Sequence, residues 1–409
     1  MTCGPMFDYP GLCAWQRGAV SARHDCCGRG SGTAPPARRH VRCQGGSNRE
    51  GGGGSVGRGQ TVGLRRDDSE RRAVRGTRGG SKEREAARLT CLEICAGGGG
   101  QALGLEQAGF EPVALVDIDP CACATLRLNR PLWPVAEADV RKFSARPFRG
   151  VDLLAAGVPC PPFSVAGKRL GVNDDRDLFP EAVRLVRECR PRAVMLENVR
   201  GFLDPVFDSY RREVTRQIEK EGYRAEWRLL NACDFGVPQL RPRAVMVALR
   251  PEAWRFFSWP EPQGAPPGVG QTLLEEMASG GWEGARTWAE KCWNAIAPTI
   301  VGGSTRHGGP DLGPTRARRA WAQLGVDGSR IADSPPPPGF RGMPQLTVRM
   351  AALLQGFPPE WRFAGTKTQA YRQVGNAFPP PVARAVAAAI RRALESAEER
   401  ARGSRGRCA

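Results

Sequence analysis

Residues 89–119 have the sequence LTCLEICAGGGGQALGLEQAGFEPVALVDID. The apolar run at Leu89–Ile94 predicts a strand, and the glycines that follow it allow a sharp turn. Gln101–Ala108 has the pattern of a helix, and Pro112–Val116 has that of a second strand. A strand, a glycine turn, a helix and another strand form a βαβ unit, so this stretch predicts an α/β fold.

The same alternation continues along the chain to about residue 250. Further strands are predicted over Val151–Ala156, Ala193–Leu196 and Ala244–Leu249, and further helices over Pro120–Leu128, Glu181–Cys189, Arg211–Glu221, Thr347–Leu354 and Pro380–Leu394. Because strands that alternate with helices usually pair in parallel, we expect a Rossmann-like, mostly parallel sheet with helices on both faces.

Composition divides the chain into segments. Residues 1–88 are rich in glycine and arginine and carry 17 Lys and Arg against 8 Asp and Glu, which predicts a disordered basic N-terminal extension. The alternative is that this segment is not part of the working protein. Residues 89–250 form the predicted α/β domain, and residues 251–345, which lack clear periodicity, form a smaller loop-rich domain. Residues 346–395 are expected to return to the first domain with a C-terminal helix, and residues 396–409 form a basic tail.

Charge and cysteine content limit the function further. The net charge of +18 indicates a polyanionic partner such as nucleic acid, although a GC-rich genome would also enrich arginine. There are 14 cysteines but no secretory signal and no apolar run of the roughly 20 residues that span a bilayer. We therefore expect a cytoplasmic protein with free thiols and no membrane contact. The cysteine spacings and the three histidines predict no metal site.

The glycine loop and the acid after the second strand predict a nucleotide-like cofactor. Gly97, Gly99 and Ala102 fit the spacing G-x-G-x-x-A, and Asp117 follows twenty residues after the first of these glycines. An acid at the end of a second strand can accept hydrogen bonds from both ribose hydroxyls. The pattern alone fits a nicotinamide-dependent enzyme as well as one that uses S-adenosylmethionine.

The sequence GVPCPPFS at residues 157–164 follows the strand that ends at Ala156. Cys160 lies between prolines on this loop, and a single cysteine is more often an inert buried thiol than a nucleophile. Glu197, however, directly follows another predicted strand, and Arg241 and Arg243 lie just before a third, on one face of an extended run with Gln239. Because ligands bind at the carboxyl ends of parallel strands, these side chains are expected to converge.

These and other short motifs together resemble one family over residues 89–395. In chain order the landmarks are AGGGG (96–100), Asp117, Asp139-Val140, Pro159-Cys160, Phe163-Ser164, DRDLF (175–179), ENV (197–199), QLRPR (239–243), LQGFP (354–358) and QVGNA (373–377). In this order they resemble the DNA cytosine-C5 methyltransferases of the bacterial restriction-modification type. The resemblance places the poorly patterned residues 251–345 where the family keeps its target-recognition domain.

The resemblance implies a catalytic set of Cys160, Glu197, Arg241 and Arg243. Cys160 would attack C6 of a flipped-out cytosine, and Glu197 would donate a proton at N3, for which burial should raise its pKa. Arg243 would contact O2 of the base, and Arg241 would fix the loop and the nucleophile.

The resemblance also implies S-adenosylmethionine as cofactor and the residues that bind it. They are Ala96, Gly97, Gly99, Gly100, Asp117, Ile118, Asp139, Val140, Pro159, Leu178, Asn376 and Ala377. The sequence departs from the family at Cys95, where phenylalanine is frequent, and at Met350, where an acid is usual. The first departure puts one aromatic contact to the cofactor in doubt, and the second puts the support of the smaller domain in doubt.

The implied partner is double-stranded DNA. Arginines of the 251–345 region are expected to contact phosphates, and some to read guanine in a G·C-rich site, namely Arg286, Arg306, Arg316, Arg318, Arg319 and Arg330. We expect a nucleoid-associated monomer and a cognate restriction endonuclease that acts on the same site without a stable complex. The alternatives are a tRNA cytosine-C5 methyltransferase, a nicotinamide-dependent oxidoreductase, and a relative that binds DNA without catalysis.

Overall fold

A computed structural model describes residues 88–159, 177–303 and 309–405. The predictions made for residues 1–87 and 406–409, for Cys160 and its loop up to residue 176, and for Arg306 lie outside the described residues.

The described residues contain one seven-stranded sheet with the order β3-β2-β1-β4-β5-β7-β6. Its strands are β1 (Leu89–Ile94), β2 (Phe110–Asp117), β3 (Val135–Glu137), β4 (Leu153–Gly157), β5 (Ala193–Val199), β6 (Arg224–Asn231) and β7 (Pro242–Leu249). Strands β1 to β5 pair in parallel, whereas β7 runs antiparallel to both β5 and β6. The carboxyl ends of β4 and β5 therefore lie at the same edge as the amino end of β7, which confirms a mostly parallel α/β sheet.

Eleven α-helices occur within the described ranges. They are α1 (Gly100–Gln107), α2 (Pro120–Asn129), α3 (Phe179–Cys189), α4 (Asp208–Lys220), α5 (Pro251–Trp254), α6 (Val269–Ala278), α7 (Ala285–Lys291), α8 (Thr315–Gln323), α9 (Val348–Leu354), α10 (Lys367–Asn376) and α11 (Pro380–Arg405).

Both faces of the sheet are buried by helices, as the continuous apolar strands require. On one face, Leu105 of α1 and Ile390 of α11 pack into a core with alternate residues of β1, β4, β5 and β7. On the other face, Val186 of α3 and Ile218 of α4 pack on the intervening residues of the same strands. At Gly104 a Cβ atom would lie 2.5 Å from Ala383 Cβ, so glycine is needed where α1 crosses α11.

Residues 255–345 contain α6, α7 and α8, three helices that the sequence pattern did not predict. They are short, and their anchors include tryptophans, such as the fully buried Trp321, rather than a repeating aliphatic stripe. Their core also includes Met350 of α9 and Tyr371 of α10. The domain boundaries at residues 250 and 345 stay a prediction.

Met350 supports the start of α9 although it stands where the family usually has an acid. The Thr347 hydroxyl accepts a hydrogen bond from the Met350 backbone N–H at 3.2 Å. The thioether sulfur of Met350 in turn accepts one from the Thr347 N–H at 3.4 Å. This is the reciprocal arrangement of a capping box, with sulfur in place of the carboxylate.

No helix within the described ranges combines the length and apolar character needed to cross a membrane. The seven cysteines that lie in these ranges are free thiols. Among the same residues, no three His, Cys, Asp or Glu side chains gather into a group that could hold a metal ion.

Candidate active site

Strands β4 and β5 bring two site segments together at the carboxyl edge of the sheet. Gly157, at the end of β4, is directly opposite Glu197 in the register of β5. A Cβ atom at Gly157 would lie 3.7 Å from Glu197 Oε2, so this residue is within van der Waals distance of the carboxylate. The Asn198 side chain donates to the Val158 carbonyl at 3.3 Å and holds the chain just past β4. Pro159 is the last described residue before Cys160.

Glu197 and Arg243 form an ion pair at this edge, with 2.9 Å between Arg243 Nε and Glu197 Oε1. The two side chains are only 11% and 10% exposed. Burial raises the pKa of the Glu197 carboxyl, while the positive charges of Arg243 and Arg241 oppose this rise. The raised direction agrees with the prediction from the sequence. A carboxyl group with a raised pKa therefore lies beside a guanidinium, and both side chains are largely buried.

Arg241 is fully buried and donates hydrogen bonds to backbone carbonyls of two distant segments. Its Nη1 donates to the Ile300 carbonyl at 2.7 Å, and its Nη2 donates to the carbonyls of Gly375 and Ala377 at 2.6 and 2.9 Å. The predicted role of Arg241 in fixing the loop and the nucleophile stays a prediction, because Cys160 lies outside the described residues. The observed hydrogen bonds join three segments of the chain through Arg241.

Replacing Arg241 with methionine is expected to lower the free energy of unfolding by about 3–5 kcal/mol, because three buried carbonyls lose charged donors. Urea denaturation measures this change. The exposed Arg316 of α8 provides a matched control, since Arg316→Met should stay within about 0.5 kcal/mol of the wild type. Equal stability of the two variants would contradict the structural role of Arg241.

The glycine loop after β1 is fastened to the end of β2. Asp117 accepts hydrogen bonds from the backbone N–H of Gly97 at 2.7 Å and of Asp119 at 2.8 Å. Burial raises the pKa of Asp117, and these two N–H donors oppose the rise. Gly97 has φ of +54° and Cys95 has φ of +55°, so the chain turns through left-handed conformations directly after the strand.

Three of the four loop glycines, Gly97, Gly99 and Gly100, have different surroundings. At Gly97 a Cβ atom would meet nothing within 4 Å, so this position faces open space. At Gly99 it would lie 2.7 Å from the Trp361 ring, and at Gly100 it would lie 2.3 Å from the Phe378 carbonyl. Only Gly97 of these three therefore turns its Cα hydrogen to a space that a ligand could fill, whereas Gly99 and Gly100 permit close packing.

The residues around this open space fit a nucleoside. Ile118, directly after Asp117, is 61% exposed, which leaves its apolar side chain available to pack on a base. Asp139 follows β3 and is half-buried, and a side-chain hydrogen bond from Arg141 lowers its pKa. Carboxylates for sugar hydroxyls and an amino group, beside an apolar face, are what adenosine requires.

The other predicted cofactor residues lie on several elements. Ala96 and Val140 are buried, and Pro159 and Leu178 are half-buried at the ends of their described segments. Asn376, exposed at the end of α10, donates to the Gly303 carbonyl at 3.4 Å. Ala377 is buried beside Gly100.

Sequence reasoning missed Trp361. Its Nε1 donates to the Gly98 carbonyl at 3.1 Å, and its ring packs on Gly99. The Trp361 side chain therefore holds the glycine loop in place, although it lies more than 250 residues later in the chain. The signal was weak, because a tryptophan after a proline-rich turn is typical of an ordinary core contact.

The five predicted DNA-contacting arginines that the structure describes are all exposed: Arg286, Arg316, Arg318, Arg319 and Arg330. Arg316, Arg318 and Arg319 lie on α8, where they form no ion pair with another described residue. They give this helix a positive, solvent-facing surface.

Residues 89–392 match the family model described as C-5 cytosine-specific DNA methylase. The chain is similar to Type II methyltransferase M.NaeI of Lentzea aerocolonigenes, with 58% identity over 312 residues that cover 75% of each chain. It is also similar to Type II methyltransferase M.NgoMIV of Neisseria gonorrhoeae, with 54% identity over 75% of this chain and 98% of the relative.

Solved structures share the fold. A putative DNA modification methyltransferase encoded within an E. coli prophage aligns with a TM-score of 0.54 and 22% identity, over 75% of this chain and 99% of that one. Spodoptera frugiperda DNMT2 aligns with a TM-score of 0.51 and 18% identity, over 75% and 99% of the two chains. The family model covers most of the chain, and the sheet edge holds the acid and the guanidinium that its motifs predict: the protein belongs to the C-5 cytosine-specific DNA methylases.

Proposed function

We propose that this enzyme transfers a methyl group from S-adenosylmethionine to C5 of a flipped-out cytosine in a specific duplex DNA sequence. The transfer proceeds through a covalent bond between Cys160 and C6 of the base. The observation that carries this proposal is the buried Glu197–Arg243 pair, at the edge where the chain leaves β4 toward Cys160. The similarity to two Type II methyltransferases supports a role in protecting host DNA within a restriction-modification system.

The residues of the candidate cofactor site fit S-adenosylmethionine. Asp117 would accept the ribose hydroxyls, Ile118 would pack on the adenine, Asp139 would accept its amino group, and the open space at Gly97 would receive the methionine part. The cofactor supplies an electrophilic methyl group on a sulfonium. Ala96, Gly99, Gly100, Val140, Pro159, Leu178, Asn376 and Ala377 would form the remaining walls of this pocket.

Replacing Asp117 with asparagine is expected to weaken cofactor binding by about 10- to 100-fold, because a charged acceptor for the ribose is lost and the amide nitrogen cannot accept one of the two backbone N–H groups that the carboxylate holds. Isothermal titration calorimetry with S-adenosylmethionine measures the change. Asp119→Asn serves as the control: Asp119 caps α2 through the Cys121 N–H at 2.9 Å, and asparagine caps helices equally well. An unchanged affinity in the Asp117 variant would remove Asp117 from the proposed ribose site.

The chemistry on the base needs the protein to supply both a nucleophile and a proton. The Cys160 thiolate would form a bond to C6 while Glu197 donates a proton to N3, which makes C5 electron-rich. Arg243 would hold O2 and keep the base in place. After C5 has taken the methyl group, water would accept the C5 proton, the S–C6 bond would break to release the Cys160 thiolate, and N3 would return its proton to Glu197, which restores the aromatic ring.

These atoms cannot be reached inside a duplex, so the target base must leave the stack at a cost of a few kcal/mol. The positive surface of α8 would contribute contacts to the DNA backbone, and residues 251–345 would recognise the site. We propose that the protein acts as a monomer, and that any cognate endonuclease binds the same DNA site independently.

The function is tested by incubating the protein with labelled S-adenosylmethionine and either a duplex of randomised sequence or a tRNA pool. Bisulfite sequencing of the product then locates each C5-methylated cytosine. Methylation confined to one short duplex sequence is expected. Transfer to tRNA alone would favour the RNA methyltransferase, and absence of transfer to either substrate would contradict the proposed function.

A further inference from the structure

Three buried side chains form an amide hub, which we define as Gln239, Arg241 and Gln355. All three are fully buried. Gln239 Nε2 donates to Gln355 Oε1 at 2.7 Å and to the Leu354 carbonyl at 3.0 Å. Gln355 Nε2 donates to the Ala377 carbonyl at 2.7 Å. The two glutamines thus join the strand that carries Arg243 to the end of α9 and to the chain after α10.

The hub also fixes the backbone of Ile300 from both sides. Gln239 Oε1 accepts from the Ile300 N–H at 2.9 Å, and Arg241 Nη1 donates to the Ile300 carbonyl at 2.7 Å. Two neighbouring contacts support this segment: the Leu240 N–H donates to the Ala297 carbonyl at 2.8 Å, and the Thr299 hydroxyl donates to the Leu240 carbonyl at 2.5 Å. Residues 297–300 therefore cannot shift without breaking several buried hydrogen bonds.

Directly after residues 297–300, the chain makes a close backbone contact with the end of α10. A Cβ atom at Gly375 would lie 2.4 Å from Gly302 Cα, so the two glycines bring residues 301–303 against the end of α10. From there the chain continues into the arginine-bearing region that includes α8. The hub thus lies where three parts meet: the segment that leads into the strand of Arg243, the proposed cofactor wall at residues 376–377, and the middle of residues 251–345, the proposed DNA-reading region.

We propose that the Gln239–Gln355 pair is a positioning element that holds the DNA-reading region in register with Arg243 and Glu197. This inference rests on the proposed function. The side chains of residues 239, 241 and 243 lie on the same face of an extended segment. Gln239 binds the backbone of Ile300 and Arg243 pairs with Glu197, so a shift of Ile300 would displace a segment only a few residues from the proposed base-binding guanidinium. A misplacement of about 1 Å can cost about 100-fold in rate, which makes such fixation consequential.

The test replaces Gln355 with methionine, which keeps the length of the side chain and removes both hydrogen bonds. Activity is normalised to the number of active sites, and methylation of the randomised duplex is read by bisulfite sequencing. We expect kcat/KM for the preferred site to fall about 10- to 100-fold and KM for DNA to rise. The reason is that the proposed DNA-reading region would no longer be held at a fixed position relative to Glu197 and Arg243. The ratio of methylation at the preferred site to that at sites with one changed base is expected to fall about tenfold.

Tyr223→Phe is the matched control. The Tyr223 hydroxyl is buried and donates to the Pro191 carbonyl at 2.6 Å, at the opposite edge of the sheet. Its removal also breaks a buried hydrogen bond, but it should leave KM for DNA and the discrimination ratio unchanged. Should Gln355→Met fail to fold, Gln355→Glu is used: its carboxyl keeps both hydrogen bonds while protonated and loses the donor to the Ala377 carbonyl when it ionises, so an intermediate effect is expected.

The possible outcomes distinguish a failure of the proposed function from a failure of the proposed positioning role. A wild-type protein that methylates no duplex DNA would overturn the proposed function itself. A wild type that methylates its site, together with Gln355 variants whose KM and discrimination match those of Tyr223→Phe, would overturn the positioning role and leave the function standing. Loss of discrimination in the Gln355 variants alone supports the positioning role.

Discussion

Replacing Glu197 with glutamine is expected to lower the rate of the methyl-transfer step by about 10²- to 10⁴-fold, the usual range for loss of a positioned general acid. Glutamine keeps the shape and can still donate an N–H to N3, but it cannot transfer a proton. Single-turnover kinetics with a saturating DNA duplex measure the step directly. A rate within a few-fold of the wild type would show that protonation at N3 does not depend on Glu197.

The pH profile gives an independent check on the same residue. Burial raises the pKa of Glu197 in the folded protein, so the folded state binds more protons than the unfolded state in the window above the ordinary carboxyl value. Stability therefore falls as pH rises through this window, and the fraction of enzyme with a protonated Glu197 falls with it. The high-pH decline in the single-turnover rate, and the matching loss of stability, should both be weaker in Glu197→Gln.

Replacing Cys160 with serine is expected to abolish measurable turnover, a loss of at least about 10⁴-fold, because a serine hydroxyl is far less acidic than a thiol and forms little nucleophilic anion at neutral pH. Filter binding should show that the variant still binds DNA. Cys189→Ala is the matched control, since Cys189 is a buried thiol at the opposite edge of the sheet, and this variant should remain active. Full activity of Cys160→Ser would refute covalent catalysis.

Five of the seven strands could be predicted from the sequence. β1 was predicted with its observed bounds, and β2, β4, β5 and β7 were recognised from their apolar cores, because strands buried on both faces appear as continuous apolar runs. β6 was missed because its residues alternate between exposed and half-buried, and β3 because it has only three residues. The antiparallel direction of β7 has no signature in local sequence.

The candidate site also contains residues whose placement could be predicted and residues whose contacts could not. Glu197 and Arg243 were predicted together because a strand end and a strand start place side chains at a sheet edge by simple topology. The contacts of Arg241 and Gln355 could not be predicted, since Gln239 and Gln355 are 116 positions apart and their pairing depends on how α9 packs. Likewise, the sequence offered four equivalent glycines, and only the packing of Trp361 and Phe378 distinguishes Gly97 from Gly99 and Gly100.

The central claim is that a cysteine adduct forms beside the Glu197–Arg243 pair, and trapping that adduct tests it most directly. A duplex with 5-fluorocytosine at the target position cannot lose a proton from C5, so elimination stops and the enzyme stays bound to the base. Incubation with S-adenosylmethionine, proteolysis and mass spectrometry then identify the modified peptide. The account predicts a single adduct at Cys160 in the wild type and in the Tyr223→Phe control, and a strongly reduced amount of this adduct in Glu197→Gln. An adduct at another cysteine, or none on DNA that is methylated when it carries ordinary cytosine, would contradict it.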